Sequence, residues 1–152
     1  MNNPLAQTRR DARERAIELA YESEQRAIGA DALLAGLVVD PDPYAALLLK
    51  ASELQRTRAE TLIAERARGW SLDRMPLIDR LVMRMAVAEM ITTDTPTGVI
   101  LAEAVALVGR YSTDESTRFV NGVLSAIART SAPEQSRAGQ RDFRHRWSFK
   151  SG

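Results

Sequence analysis

The stretch Arg118-Phe119-Val120-Asn121-Gly122-Val123-Leu124 decides how this chain folds. Asn-Gly is ordinarily a turn signal. Here Phe119, Val123 and Ile127 recur at four-residue spacing, and Val120 and Leu124 repeat it one step on. Glu115, Arg118 and Arg129 are left for the solvent side. The period therefore predicts a helix straight through the Asn-Gly. An interior glycine costs a helix about 1 kcal/mol relative to alanine, and asparagine adds to that cost. The expectation is that the pair serves packing. Asn121 would satisfy backbone groups at a helix contact, and Gly122 would let a neighbouring helix come close.

Working outward, helix signals dominate. Residues 8–28 predict a first helix, with Thr8 and Asp11 as a variant capping box, a small-residue inner stripe (Ala12, Ala16, Leu19, Ala20, Ser23) and Gly29 as its end. Asp31 to Val39 reads as a short apolar helix, and Asp40-Pro41-Asp42-Pro43 is a break. Residues 44–68 read as one long amphipathic helix closed by Gly69, followed by a single turn at Ser71–Arg74. Pro76 suits the first turn of the next helix, which runs to about Ile91. Its apolar residues Leu77, Ile78, Leu81, Val82, Met85, Val87 and Met90 cover most of the circumference, so it should be the central, most buried element. Two more helices are expected at about 98–111 and 115–130. No strand pattern or internal repeat interrupts this reading. The fold class is all-α, with six or seven helices around one core. Residues 1–130 form the domain, and 131–152, polar and irregular after Pro133, read as a flexible basic tail.

Composition bounds function. The 152 residues suffice for one domain with a real core. The absence of cysteine removes disulfides, thiolate nucleophiles and cysteine-based metal sites, and fits a cytoplasmic protein. The longest uncharged apolar run, Ala32 to Val39, is too short to span a bilayer, so no membrane role is expected. The one histidine, His145, lies in the tail, and the eight glycines form no phosphate-binding loop. No catalytic residue, metal site or cofactor is therefore expected, and the acid pair Asp114-Glu115 suits a helix N-terminus better than acid–base chemistry. Net charge is only +1, yet residues 1–15 hold four arginines against two acids, and 131–152 hold four arginines and a lysine against two acids. Basic ends around an acidic body are the footprint of a polyanion partner, or simply of solubility.

Two patches stand out. Arg9, Arg10 and Arg13 fall at i, i+1 and i+4 near the start of the first helix, where guanidinium forks can meet phosphates. The alternative is a solvated face paired with Asp11 and Glu14. Around the junction of the last two helices, Tyr111, Glu115, Arg118 and Phe119 combine aromatics, an acceptor and a cation, a set able to stack on and hydrogen-bond unpaired bases. The alternative there is that Phe119 belongs to the core.

The order Glu103-Ala104-Val105-Ala106-Leu107-Val108, a loop, then Arg118-Phe119-Val120-Asn121-Gly122-Val123-Leu124 resembles the C-terminal signature of the NusB family of bacterial transcription antitermination factors. Gly69-Trp70-Ser71-Leu72-Asp73-Arg74, the run Asp79-Arg80-Leu81-Val82-Met83-Arg84-Met85-Ala86-Val87-Ala88-Glu89-Met90, and Arg9-Arg10-Asp11-Ala12-Arg13-Glu14 extend the likeness over about residues 8–130. It departs at Leu101-Ala102, at Gly109-Arg110, and at Asp11, which interrupts the basic run. The resemblance implies an all-helical fold of two small subbundles. It implies RNA binding at boxA of nascent ribosomal RNA, with Arg9, Arg10 and Arg13 as one contact set and Tyr111, Glu115, Arg118 and Phe119 as the other. It implies pairing with NusE, a small-subunit ribosomal protein, through Tyr21 and Asp79. It also implies work with the other Nus factors on the RNA polymerase elongation complex. Two other readings stay open: a protein-interaction scaffold or homodimer without strong RNA binding, and a detached NusB-like domain of a ribosomal RNA cytosine methyltransferase, since this chain carries no cofactor-binding α/β segment.

Overall fold

In a computed structural model the chain is all-helical over the residues described, 4–137, with side chains described as far as residue 130. Seven helices follow one another: α1 Pro4–Arg26, α2 Ala30–Ala35, α3 Pro43–Leu54, α4 Arg56–Arg66, α5 Leu77–Thr92, α6 Thr97–Tyr111 and α7 Asp114–Arg137, with a 3-10 turn at Leu72–Arg74. Helices α1, α2 and α3 pack on one another, as do α6 with α7 and α4 with α7. Helix α5 joins the two groups, packing on α1, α3, α4, α6 and α7. This is the expected pair of subbundles around one central helix.

Every residue of α5 from Leu81 to Glu89 is buried. Seven of the nine are apolar, which is why the helix can be enclosed on all sides. The other two, Arg84 and Glu89, are charges that must be paired to be buried. Arg84 reaches Glu24 of α1 at 3.1 Å and Glu60 of α4 at 3.4 Å, and its Nε donates to Ser52 Oγ of α3 at 3.3 Å. Glu89 accepts a two-pronged interaction from Arg13 of α1, and the Tyr44 hydroxyl of α3 donates to it at 2.6 Å. Two ionic clusters thus fix α1 and α3 on opposite stretches of the same helix.

Several local expectations are corrected. Helix α1 begins at Pro4, where a proline lacks only a hydrogen bond that a first turn would not make. Thr8 is inside the helix, its hydroxyl donating to the Pro4 carbonyl, so it is not the cap. The helix ends through Ala27 at φ 54°, and Gly29 instead caps the start of α2, where the Glu53 carboxylate accepts from Ala30 N. The helix expected over 44–68 divides at Gln55, which turns the chain so that Arg56 and Glu60 meet Glu24 and Arg84. No glycine or proline marks that bend. Helix α7 runs past residue 130 to Arg137, so the first residues of the expected tail are helical, while 138–152 lie outside the described residues.

The Asn-Gly is helical, as the period predicts, but it does not pack. Asn121 and Gly122 both face solvent, and a Cβ built on Gly122 would meet nothing within 4 Å. Asn121 Oδ1 accepts from the Ser125 hydroxyl one turn on at 3.4 Å, not from a neighbouring helix. The packing side of α7 is carried by Val120, Val123, Leu124 and Ile127. Gly122→Ala should therefore stabilise the protein by about 1 kcal/mol, the helix-propensity difference alone. Urea unfolding measures it, and a destabilised variant would mean that the backbone at 122 has a neighbour after all.

Candidate nucleic-acid interface

The three N-terminal arginines are placed differently. Arg9 lies with its guanidinium carbon 3.9 Å from the centroid of the Tyr44 ring, the geometry of a cation–π contact. It forms no ion pair with a described residue, so its donors stay open while the ring holds the cation in place. Arg10 pairs with Glu103 of α6 through Nε and Nη2, at 3.2 Å in each case. Its side chain is 43% exposed and Nη1 is left over. The hydrogen bonds and charge of Glu103 raise the Arg10 pKa further above its already high value.

Arg13 corrects the sequence reading. It is 6% exposed, and its Nε and Nη2 bind the Glu89 carboxylate at 2.9 and 2.7 Å. Burial works against the Arg13 cation, but the Glu89 hydrogen bonds and charge outweigh it and raise the pKa. The Tyr44 hydroxyl is held neutral by burial and by the bond it donates to Glu89, which push its pKa up, and it also lies 3.1 Å from Thr95 Oγ1. Arg13, Glu89 and Tyr44 therefore form the floor on which Arg9 rests, not part of the outer surface.

The second patch is tied to the first. Glu14, one residue after Arg13, accepts from the Tyr111 hydroxyl at 2.6 Å and from Arg110 at 2.7 Å. Both bonds favour the carboxylate and lower the Glu14 pKa, while the bond to Glu14 raises that of Tyr111. The end of α6 is thereby fastened to α1, and α7 starts three residues later. Glu115 and Arg118 on its first turns are exposed, and Arg118 has no ion pair among the described residues. Phe119 is half-buried, packed against the core on one side and tilted at 56° against Trp70, 6.0 Å between centroids. Trp70 itself is half-exposed.

Of the two residues expected to face a protein partner, Tyr21 is exposed on α1. Asp79 is not: it is 1% exposed in the first turn of α5, and its Oδ1 has no hydrogen-bond partner. Direct contact by Asp79 needs the covering residues to move. No salt bridge joins it to the nearby Arg84, whose guanidinium is committed to Glu24 and Glu60. The residues missed from sequence are Tyr44, Glu89 and Glu103. They organise the arginines from elements far along the chain, and no local pattern announces them. Glu14, weighed from sequence as a partner of the neighbouring arginines, binds Arg110 and Tyr111 instead. Among the described residues, no group of acids or histidines could hold a metal, and no helix is long and apolar enough to cross a membrane.

A two-subbundle helical domain with arginines displayed at one edge defines a class of small all-α proteins, and comparison with known proteins specifies which. The NusB family model matches residues 10–129, and the chain belongs to the NusB family. It is 42% identical over 127 residues to the transcription antitermination protein NusB of Saccharopolyspora erythraea, covering 79% of this chain and 86% of that one. Among solved structures it is similar to T. maritima NusB, with TM-score 0.70 and 29% identity over 85% of this chain and 93% of that one. It is also similar to a chain in a crystal structure of antitermination factors NusB and NusE in complex with dsRNA, with TM-score 0.69 and 26% identity over 82% and 98% of the two chains.

Proposed function

We propose that this protein is an RNA-binding transcription antitermination factor of the cytoplasm, a binding protein and not an enzyme. With NusE it binds boxA of nascent ribosomal RNA and keeps the elongating polymerase, with the other Nus factors, from stopping early. The observation that carries this reading is Arg9: a guanidinium held over the Tyr44 ring, with no acid partner among the described residues, beside the half-free Arg10. Such preset forks suit phosphate oxygens. Arg118 adds a cation at the start of α7, Glu115 an acceptor for base amino groups, and Tyr111 and Phe119 ring faces for unpaired bases. Arg13 serves the same surface from beneath, by holding Glu89 and so Tyr44 in place. Tyr21 is the exposed candidate for NusE, and Asp79 joins it if binding uncovers α5.

The likeness to the NusB–NusE–dsRNA complex, and to a relative matched over most of its own length, supports this reading over a scaffold or a methyltransferase fragment. Competition tests it. With NusE present, unlabelled boxA RNA should displace labelled boxA RNA at far lower concentration than a scrambled RNA of equal length.

A further inference from the structure

Between the end of α4 and the outer side of α7 lies an open cleft of about 490 Å³, lined by Glu65, Arg66, Arg68, Ala126, Arg129 and Thr130. It is separate from both patches described above. Three of its six residues are arginines, against one acid. Glu65 is engaged by Arg66 at 2.6 Å. Arg68 and Arg129 are exposed, and neither forms an ion pair or hydrogen bond with a described residue. Two unpaired like charges at one cleft repel each other and are stabilised by an anion placed between them.

The cleft continues a track. Arg118, Gly122, Ser125 and Arg129 follow at spacings of four, three and four, which is one face of a helix. From Arg118 to Arg129 the helix rises about 16 Å. The middle of that face is bare: Gly122 has nothing within 4 Å of where a side chain would begin. A helix that accepts the cost of glycine there without packing against it leaves its backbone open to close approach. At the Arg118 end stands the half-exposed Trp70, tilted on Phe119.

We propose that this face of α7, ending in the cleft of Arg66, Arg68 and Arg129, is an RNA-backbone track that takes the sugar-phosphate strand flanking boxA. The inference rests on the RNA-binding reading above and extends the bound length beyond it. A strand fits better than a protein segment, because the cleft is open and polar, offers only Ala126 as apolar lining, and presents arginine as its sole cation. Contacts of this kind read no sequence. They add affinity to whatever RNA the specific site has selected.

The test compares boxA RNA with boxA RNAs extended by about ten nucleotides on the 5′ or the 3′ side, with NusE present, for the wild type, Arg68→Ala/Arg129→Ala and Arg68→Lys/Arg129→Lys. The wild type should bind one extended RNA about tenfold more tightly than boxA alone. The alanine variant should lose that gain, bind boxA alone as the wild type does, and show a salt slope shallower by about 1.4 on the extended RNA, the value for two single-strand phosphate contacts. The lysine variant should keep most of the gain. If both extended RNAs bind no tighter than boxA, or the alanine variant keeps the gain, the track is overturned while a preserved preference for boxA leaves the functional reading standing. If the alanine variant loses NusE affinity and keeps the gain, the cleft is a protein contact and the track is likewise overturned. If the wild type does not prefer boxA to scrambled RNA, the functional reading fails, and the track with it.

Discussion

Arg13→Ala should unfold this protein at markedly lower denaturant or temperature, with an expected loss of about 3–5 kcal/mol, as for removing one partner of a buried ion pair. The reason lies in what remains. Glu89 is 2% exposed and would be left with only the Tyr44 hydroxyl as donor. Arg13 supplies two of its three donors, at 2.9 and 2.7 Å. At about 2–4 °C per kcal/mol for a chain of this size, the melting midpoint should fall by roughly 10 °C. Glu89→Ala should cost a similar amount, since it strands the guanidinium. The double variant should cost clearly less than the two singles together, because neither charge is left alone. Urea unfolding of the three variants checks this. An Arg13→Ala variant within about 0.5 kcal/mol of the wild type would show that the arginine is a surface residue, as its sequence context suggests. RNA affinity measured on Arg13→Ala where part of the protein is unfolded would overstate any direct contact by Arg13, because only the folded fraction binds.

The second large effect is on binding, without that loss of stability. Arg9→Ala/Arg10→Ala should leave the melting midpoint within a few degrees of the wild type. The Arg10–Glu103 pair is half-exposed, and such pairs contribute about 0.2–1 kcal/mol. The contact of Arg9 with Tyr44 is of similar size. Affinity for boxA RNA should nevertheless drop at least about tenfold per arginine, because a hydrogen bond to a charged group is worth about 1.5–3 kcal/mol. Arg9→Lys should recover only part of it: an ammonium keeps the charge but not the planar fork of donors. Fluorescence anisotropy with labelled RNA reads both. Unchanged affinity in the double variant would remove the N-terminal patch from the interface.

The contrast between Arg9, Arg10 and Arg13 shows how far the sequence reached. All three belong to one local pattern, and spacing placed them on neighbouring faces of one helix. What separates them is who meets them. Glu103 stands 93 residues from Arg10 and Glu89 stands 76 residues from Arg13, and helical periodicity carries no information about either distance. Helix α5 was legible as central because apolar residues cover most of its circumference, yet Arg84 and Glu89 were not readable as the buried clamps they are. The bend at Gln55 was hidden for a related reason: the ion pairs it allows reach across the bundle to Glu24 and Arg84, and no breaking residue stands at the spot. The Asn-Gly gave the helix and the family correctly and its own role incorrectly. Periodicity identifies the buried side of α7 from Val120, Val123, Leu124 and Ile127, and Gly122 lies off that side. A residue that costs a helix stability and packs against nothing directs attention outward, to what lies along α7.

The central claim is sequence-selective RNA binding by a surface of arginines that the fold holds in place. The measurement that tests it most directly is competition for labelled boxA RNA by unlabelled boxA and scrambled RNA, with NusE present. BoxA should compete at concentrations at least about tenfold lower, and Arg9→Ala/Arg10→Ala should weaken binding while the protein stays folded. Equal competition by the two RNAs, with protein and NusE both folded, would contradict it.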